Sequence, residues 1–553
     1  KVLVTLRSFD PARLRPQSCA FHPRGTLLAV GFSSGACKIL DASDLQEVAG
    51  FRYTSAALTT VRFSPDGKMV AACDTDNHVL LFKHSLVDVF LSADGEETST
   101  YRTNEDEEMR TRDMWTYVGR NRSHSRAVTG LEFGTREDGR VSLVSIGEDR
   151  CLVEYNLPDS NQARAAATTH TPPGHETGLL MTEAPKRIEQ SGSPTALLWH
   201  PLLGTDFEDR LVTANDEYKL KQWNADNKSF RKTTLGPTFG GPINRLEQIS
   251  YIYGDEESRP SEFVAYGTAE KVVGLLQMPF DGNPHKVMGL IAHPGEVSCL
   301  TVSGDGNYLI TSGGKDLTVN VWKINTQALQ ARRAHEQVEG GASGVTARES
   351  GADADERAAA QDMTPFLEQL QGGEGGELHE ELVDYFFYAL LRTQGEDTTD
   401  ARSTAEVVPV AEVPNIMRAL GFYPTEQEVA HMVNEVKYSR FTETGEVQET
   451  IDLNGLIRLF VNHRPVFPVS KQAIHEAFVS MGGDPHDGSK LGWSSICAKL
   501  QSMVERISDE ELAHCLEALT GDSSTSRVNG RQYLQPMQFA EEVLGFEDYR
   551  QPR

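Results

Sequence analysis

The sequence predicts a protein with two parts of different fold class: an all-β propeller over residues 1–330 and an all-α domain over 377–553. Two patterns carry this prediction. In the first part, short strands with alternating apolar residues are separated by Gly-containing turns at a repeated spacing. In the second part, apolar residues recur every three to four positions, which is the spacing of amphipathic helices. The chain has 553 residues, enough for two or three domains with ordinary cores.

Six repeated units predict the blades of the propeller. In each unit an acidic or small residue lies in a tight turn, and six residues later a large residue closes a strand. The pairs are Ser34 with Leu40, Asp76 with Phe82, Asp149 with Tyr155, Glu217 with Trp223, Glu270 with Leu276 and Asp316 with Trp322. The shortest interval between closing residues, 42, matches the ~40–45 residues of a four-stranded blade. Longer intervals contain polar insertions at about 91–113 and 156–192, which we expect to be loops.

These units resemble the WD-repeat family, most closely where Asp316 and Trp322 follow His293. In such a fold we expect the turn carboxylates to accept hydrogen bonds and the indole to pack between blades, so that both are structural. We also expect the array to be truncated at its N-terminus, because "KVLVTL" at 1–6 resembles the outer strand of a blade. Seven blades, or a second propeller upstream, remain open at this point.

Residues 331–376 are predicted to form a flexible acidic and Gly/Ala-rich linker. "EQVEGGASGVTARESGADADERAAAQ" and "QGGEGGE" contain too few apolar residues to offset the cost of ordering. Only "TPFLEQL" within this stretch is compatible with a short helix. We expect the linker to let the helical domain dock at a distance from the propeller.

Four helix–loop–helix pairs account for the all-α part, with a first lobe at 377–463 and a second at 464–553. Thr425 and Glu428 have the spacing of a capping box at the start of one helix. The segment "EVPNIMRALGFYPTEQEVAHMVNEV" at 412–436 resembles the first lobe of calmodulin. The helical part is therefore predicted to be a calmodulin-like EF-hand domain.

The predicted calcium loops are degenerate. An EF-hand loop has twelve residues, with oxygen ligands at alternate positions and a bidentate Glu at the twelfth. In the second hand the twelfth position is Gly455, which has no carboxylate, and in the third it is Ser495. We therefore expect no cofactor and no bound metal, calcium included. Weak calcium candidates remain at Glu412, Asp397, Asp400 and Asp484.

A lobe of this kind keeps an apolar groove that can clasp a partner helix. Four methionines suit either such a groove or an ordinary core, and we expect most of them to be core: Met417, Met432, Met481 and Met503.

The net charge of −27 is concentrated in the C-terminal part of the chain. Residues 1–330 carry −8 of it and residues 331–553 carry −19. Such a surface repels phosphate backbones, so we expect no nucleic-acid partner. It favours basic partners such as Lys/Arg-rich amphipathic helices, although an acidic face that only keeps the protein soluble is an equally good interpretation.

Three further classes of protein are disfavoured by the sequence. There is no apolar run of the ~18–20 residues that a membrane span needs, so we expect no membrane partner. The seven cysteines form no C-x-x-C pair, which fits a reducing compartment such as the cytosol. No phosphate-binding G-x-x-x-x-G-K-[ST] and no zinc-binding H-E-x-x-H occurs, and we predict that the protein is not an enzyme.

The order of a WD-repeat array and a degenerate EF-hand tail, with "VPVAEVPNIMRALGFYP" and "IDLNGLIRLFVNHRP", resembles the cilia- and flagella-associated protein 251 family. The resemblance implies a structural role in the ciliary or flagellar axoneme. It implies membership of the calmodulin- and spoke-associated complex at the radial spoke base. The implied partners are other subunits of that complex, radial spoke proteins and the doublet microtubule, with calmodulin as a further candidate. A calcium-responsive regulatory subunit, acting through the first EF-hand, is one alternative. A WD-repeat adaptor for a cytosolic complex is another.

Overall fold

Six antiparallel β-sheets follow one another from Pro16 to Lys323 in the computed structural model, and the remainder of the described chain is mainly helical. The structure describes residues 15–91, 97–98, 108–136, 138–160, 178–200, 210–251, 259–313, 316, 318–327, 329–330, 363–395, 406–439, 441, 445–467, 469–502, 506–521, 523–525 and 527–544.

The first three sheets have four or five strands each. In chain order they are β1 (Pro16–Phe21), β2 (Leu27–Phe32), β3 (Ala36–Asp41) and β4 (Glu47–Arg52); β5 (Leu58–Phe63), β6 (Met69–Asp74), β7 (Val79–Leu91), β8 (Glu97–Thr98) and β9 (Glu108–Asn121); and β10 (Val128–Thr135), β11 (Val141–Gly147), β12 (Cys151–Asn156), β13 (Leu180–Met181) and β14 (Lys186–Arg187).

Two four-stranded sheets and a sheet with three described strands complete the array. They are β15 (Pro194–His200), β16 (Arg210–Asn215), β17 (Lys219–Asn224) and β18 (Phe230–Leu235); β19 (Ile243–Tyr251), β20 (Arg259–Thr268), β21 (Val272–Gln277) and β22 (Val287–Ile291); and β23 (Val297–Val302), β24 (Tyr308–Gly313) and β25 (Val319–Lys323).

The six sheets repeat one backbone pattern. The first strand of every sheet pairs with the second and carries a β-bulge near its start, for example between Leu58 and Thr60 or between Val297 and Cys299. In four sheets the residue after the predicted turn position has a positive φ: Gly35, Asn77, Arg150 and Tyr218. A bulge and a left-handed turn at equivalent positions mark equivalent blades, so the predicted WD-type β-propeller is confirmed, and the described residues form six blades.

The turn aspartates have the structural role predicted for them. In the sixth blade, His293 Nδ1 lies 2.9 Å from Asp316 Oδ2, and His293 Nε2 lies 2.8 Å from Thr311 Oγ1. Thr311 Oγ1 also accepts a hydrogen bond of 3.0 Å from Trp322 Nε1. In the third blade, His124 makes equivalent contacts to Asp149 at 3.0 Å and to Ser145 at 2.7 Å.

The first strands of all six blades line a central channel. One channel residue from each is Cys19, Arg62, Glu132, Leu197, Arg245 and Cys299. Arg62 bridges two blades across the channel, with its Nε 3.1 Å from Glu132 and an Nη 3.7 Å from Glu247. Burial raises the pKa of Glu132 to about 7, while Arg62 opposes that change.

One predicted loop is partly a pair of strands. The insertion at about 91–113 extends β7 and β9, which pair from Val79 with Asn121 to Leu91 with Glu108. The expectation of a loop was wrong for residues 108–113, because the hairpin continues the strands of the blade beyond the usual blade length. In the other insertion, 156–192, residues 161–177 lie outside the described residues, and the described remainder contains the short strands β13 and β14, which pair with β12, so the expectation of a loop was wrong there as well.

The described residues of the first lobe form five α-helices: α1 (Thr364–Leu367), α2 (Glu377–Thr393), α3 (Val413–Ala419), α4 (Glu426–Lys437) and α5 (Leu453–His463). The strands β26 (Val407–Pro409) and β27 (Thr450–Asp452) join its two helix–loop–helix units, with Val408 opposite Ile451. The capping box at Thr425 and Glu428 is present. Met417 and Met432 are fully buried, as expected of core residues.

The expected linker does not separate this lobe from the propeller. Residues 331–362 lie outside the described part of the chain, but 363–376 are packed, with Phe366 and Leu370 buried in the core of the first lobe. The lobe therefore begins at residue 363 and not at 377. The expectation that it docks at a distance was also wrong, because propeller and first lobe form one compact unit that ends at Arg464.

The second lobe, from Pro465 onward, is a separate compact unit. It contains α6 (Lys471–Ser480), α7 (Trp493–Ser502), α8 (Asp509–Thr520) and α9 (Pro536–Glu542), and its short strands β28 (Leu491–Gly492) and β29 (Tyr533–Leu534) pair. Its core surrounds Trp493 and Phe478, with Met481 packed against it. Met503 lies outside the described residues. No helix that the structure describes is both long and apolar enough to cross a membrane.

Candidate functional site: the junction of the propeller and the first lobe

The two calcium candidates that the structure describes, Glu412 and Asp484, each have partners within the fold. The Glu412 carboxylate forms an ion pair with Arg392 and accepts a hydrogen bond of 3.2 Å from Asn415 Nδ2. Asp484 accepts the His486 N–H at 2.9 Å and caps a single 3₁₀ turn. Asp397 and Asp400 lie outside the described residues. Within the described residues, no group of three or more His, Cys, Asp or Glu side chains is placed to hold a metal.

The carboxylate of Asp452, just before α5, is used by the backbone of that helix. Asp452 is the N-cap of α5, and its Oδ1 accepts the N–H of Gly455 at 2.9 Å. A side chain that satisfies a helix N-terminus in this way stabilises the helix by about 1 kcal/mol.

One sequence motif that is typical of catalytic sites occurs here without the strand–turn–helix that such a site requires. "GFSSG" at 31–35 matches G-x-S-x-G, which in hydrolases forms a sharp turn between a strand and a helix. Here it is the hairpin turn between β2 and β3, where the Ser33 N–H donates to the Arg15 carbonyl at 2.8 Å. The match is therefore part of a propeller blade.

The structure instead brings together a set of buried polar side chains where the first lobe meets the fourth and fifth blades. Strand β18 packs against α4 and α5, and Leu235 at its end contributes to the core of the lobe. We call this contact region the junction and define it by four of its side chains, Lys219, Phe230, His431 and Asn462.

His431 of α4 packs against two aromatic residues of the fourth blade. Its ring stacks on Phe230 with centroids 3.9 Å apart and planes inclined by 7°, and it meets Trp223 edge-on at 5.7 Å. Burial, together with the nearby Lys221 ammonium, lowers the pKa of His431 to about 3. The imidazole is therefore neutral at physiological pH and acts as an aromatic side chain in this contact.

Lys219 of β17 caps the C-terminal end of α5. Its Nζ donates to the carbonyl oxygens of Asn462 and Arg464, each at 2.7 Å, and the side chain is almost fully buried. The last carbonyls of a helix lack partners within the helix and carry partial negative charge, so a donor at this end satisfies and stabilises them. Burial lowers the pKa of Lys219 to about 7.

Asn462 connects two blades at once. Its Oδ1 accepts the Leu235 N–H at 3.0 Å, and its Nδ2 donates to the Asp281 carbonyl at 3.1 Å. Gly282 lies beside it with a φ of +86°, and a Cβ at this glycine would stand 1.9 Å from Asn462 Oδ1. Only glycine fits here.

A second polar contact lies near Asn462. The Glu435 carboxylate accepts the Thr233 N–H of β18 at 3.0 Å and lies 3.0 Å from His463 Nε2. The same oxygen serves both groups, so α4, α5 and the edge strand of the blade are linked through one side chain.

The α1 segment closes the other side of the first lobe. Phe366 is buried, and the guanidinium carbon of Arg458 lies over its ring, 5.1 Å from the ring centroid. Gln369 Nε2 donates to the Gly282 carbonyl at 3.3 Å, and the Gln369 carbonyl accepts a hydrogen bond of 2.5 Å from Arg464. The α1 segment is thus packed into the core of this lobe, and the apolar groove expected to clasp a partner helix stays a prediction.

The sequence contained only an indirect signal of the junction. Strand β17, "KLKQWN", is buried at every position although it contains two lysines. Buried lysines are rare unless they are paired. Lys221 has its partner inside the propeller, since its Nζ lies 2.5 Å from Glu189, but the partner of Lys219 is 243 residues away and shares no motif with it.

Comparisons with known proteins agree with this architecture. Residues 377–544 match the family described as the CFAP251 C-terminal domain, and residues 46–83 and 284–323 match the WD domain, G-beta repeat. Several relatives carry the name cilia- and flagella-associated protein 251. The Tetrahymena thermophila protein is 31% identical over 99% of this chain and 54% of its own length.

The same relationship extends to two other organisms. The mouse protein is 30% identical over 98% of this chain and 38% of its own length. The Chlamydomonas reinhardtii protein is 28% identical over 96% of this chain and 46% of its own length. The chain therefore spans about half, or less, of the length of these relatives. With nearly its whole length aligned to them, this chain belongs to the cilia- and flagella-associated protein 251 family.

Proposed function

We propose that this chain is a non-enzymatic structural scaffold of the ciliary or flagellar axoneme. Its family is cilia- and flagella-associated, and the junction supports a scaffold role in particular. A scaffold has to hold two binding surfaces at a fixed spacing. Buried hydrogen bonds from Lys219, Asn462 and Glu435, with an aromatic stack at His431, hold the propeller and the first lobe in one such arrangement.

The proposal includes a more specific place of action. We infer that the chain is a subunit of the calmodulin- and spoke-associated complex at the base of a radial spoke, where it supports regulation of dynein-driven motility. The resemblance in the segment 408–463 supports this inference. The proposed partners are other subunits of that complex, radial spoke proteins and the doublet microtubule, with calmodulin as a further candidate.

We also infer that both lobes are degenerate EF-hand pairs. Paired helix–loop–helix units joined by a short antiparallel contact, Val408 with Ile451 and Leu491 with Leu534, support this inference. The ion pair of Glu412 with Arg392 favours a structural use of the first hand over the alternative of a calcium-responsive subunit.

The experiment is to express the tagged full-length protein in ciliated cells that lack their own copy. We expect the protein to remain with salt-washed axonemes and to restore beating. Recovery of spoke-base subunits in cross-linked axonemes supports the specific location. A protein that stays in the cytosol and co-purifies with ubiquitin-ligase subunits would instead support the adaptor alternative.

A further inference from the structure

The outward face of helix α2 is apolar over its C-terminal half although the lobe has a complete core. The residues that α2 turns inward are Leu382, Phe386, Ala389 and Leu390, all buried. The opposite side exposes Phe387 by 49%, Tyr388 by 55% and Leu391 by 41%. These three form a continuous patch, because residues three or four positions apart are neighbours on a helix surface.

The described contacts do not explain why Phe387 and Leu391 are exposed. Aromatic residues are weaker helix formers than Ala, Leu, Glu or Lys, so Phe387 and Tyr388 do not stand there for the sake of the helix. An exposed patch of large apolar side chains usually marks an interaction site. Within the described residues, α1 and β18 pack against the core of the lobe, whereas the side chains of Phe387 and Leu391 on α2 remain close to half exposed.

The N-terminal half of the same stripe is acidic. Glu377, Glu381 and Asp384 precede Tyr388 and Leu391 at helical spacing, with Glu380 beside them. Within the described residues, none of these four carboxylates forms an ion pair with a basic side chain. Carboxylates in the first turn stabilise a helix through its dipole, which accounts for Glu377 and Glu380. Asp384 lies two turns into the helix, beyond the range of that effect.

We propose that this outward face of α2 binds an amphipathic helix of a partner protein. One half of that partner helix is Lys/Arg-rich and its other half is apolar. The basic half would lie against the acidic turns and the apolar half against Phe387, Tyr388 and Leu391. The 17 residues of α2 span about 25 Å, so the matching segment is on the order of 17–20 residues long. A second copy of this chain is a poorer occupant, since two acidic halves repel each other, and anionic lipid is repelled for the same reason.

This inference deepens the proposed scaffold function by naming the chemistry of one partner, and it can fail while axonemal localisation stands. The first test uses the full chain and a designed 18-residue helical peptide with a Leu face and a Lys/Arg half. The probe is fluorescently labelled, and its Kd is measured by anisotropy. A peptide of the same composition with scrambled order is the specificity control.

We expect the ordered peptide to bind at least tenfold more tightly than the scrambled one. The double variant Phe387→Ser/Leu391→Ser should weaken binding at least tenfold, and Glu381→Lys/Asp384→Lys should weaken it and flatten its salt dependence. Tyr423→Ser, which alters a tyrosine that is 75% exposed elsewhere on the lobe, should leave binding unchanged. Circular dichroism verifies that each variant is folded.

The second test places a photo-crosslinking amino acid at position 391 of the full-length protein in axonemes. We expect the crosslinked peptide to come from a helical Lys/Arg-rich segment of another subunit. Crosslinks only within this chain, crosslinks to a second copy, or equal binding of ordered and scrambled peptides would each overturn the proposal. Correct axonemal localisation in the same cells would show that the scaffold function survives that failure.

Discussion

Asn462 of the first lobe and Gly282 of the fifth blade fit together with no space for a further atom. The amide oxygen of Asn462 lies 1.9 Å from the point where a Cβ of residue 282 would stand, and that glycine has a φ of +86°. The same amide makes hydrogen bonds to Leu235 and Asp281. The close approach of the Asn462 side chain to the Gly282 backbone is therefore a condition for the hydrogen bonds that hold lobe and propeller together.

Gly282→Ala should loosen the junction. A non-glycine residue in the left-handed region costs about 1–2 kcal/mol, and the clash with Asn462 adds the loss of hydrogen bonds worth roughly 1 kcal/mol each. We expect faster amide hydrogen exchange in α5 (453–463) and a lower melting temperature. Gly295→Ala is the matched control, because a Cβ there meets nothing within 4 Å. Unchanged exchange in α5 of the Gly282 variant would contradict the account of the junction.

Lys219 gives the junction a dependence on pH above neutrality. Burial lowers its pKa from 10.5 to about 7 in the folded protein. Between these values the unfolded chain binds more protons than the folded one, so the free energy of unfolding rises with pH across that window. The rise is at most ~5 kcal/mol, from 1.36 kcal/mol per pKa unit.

Lys219→Met provides the comparison that isolates this lysine. The methionine keeps most of the apolar stem but neither the charge nor the two hydrogen bonds to α5. Urea denaturation at pH 7 and pH 9.5 should show the wild type gaining stability relative to the variant. Parallel pH profiles of the two proteins would mean that Lys219 keeps its ordinary pKa in the fold.

The propeller could be predicted because its signals are local. A turn residue and a strand-closing residue six positions later, such as Asp316 and Trp322, lie within one hairpin and contact the same Thr311 network. Likewise the capping box at Thr425 and Glu428 is a contact within one helical turn. Contacts between residues that are close in sequence produce a regular spacing of residue types, which sequence analysis can detect.

The junction could not be predicted because its contacts join residues that are distant in sequence. Thr233 and Glu435 are 202 positions apart, and neither belongs to a motif. The linker prediction failed for a related reason. The composition of 331–376 is an average over the whole segment and does not show the effect of single residues. Two apolar residues near its end, Phe366 and Leu370, are buried in the core of the lobe and anchor that part of the segment.

His431 should make the stability of the folded protein depend on pH below neutrality. Burial lowers the pKa of this imidazole from 6.5 to about 3, so between these values the unfolded chain again binds the extra proton. Stability is therefore fully present above pH 6.5 and is lost as the pH falls. At pH 5 the expected loss is about 2 kcal/mol relative to pH 7.5.

His431→Phe should remove that loss while keeping the ring on Phe230, 3.9 Å away in the wild type. The measurement is the denaturant midpoint at pH 5 and pH 7.5 for both proteins. His486→Phe is a control, since this histidine is exposed in the separate second lobe. If His431→Phe loses as much stability on acidification as the wild type does, another group is responsible.

The first helix–loop–helix unit should be stable without calcium, because Arg392 already neutralises the carboxylate that would bind the ion. We expect millimolar calcium and a chelator to give the full chain the same melting temperature within 1 °C, roughly the resolution of the measurement, since a ligand stabilises only in proportion to its binding. Glu412→Gln should lower stability by about 1 kcal/mol or less, as for a partly exposed ion pair, equally in both conditions. A calcium-dependent rise in melting temperature that Glu412→Gln abolishes would instead establish a working calcium site and favour the sensor alternative.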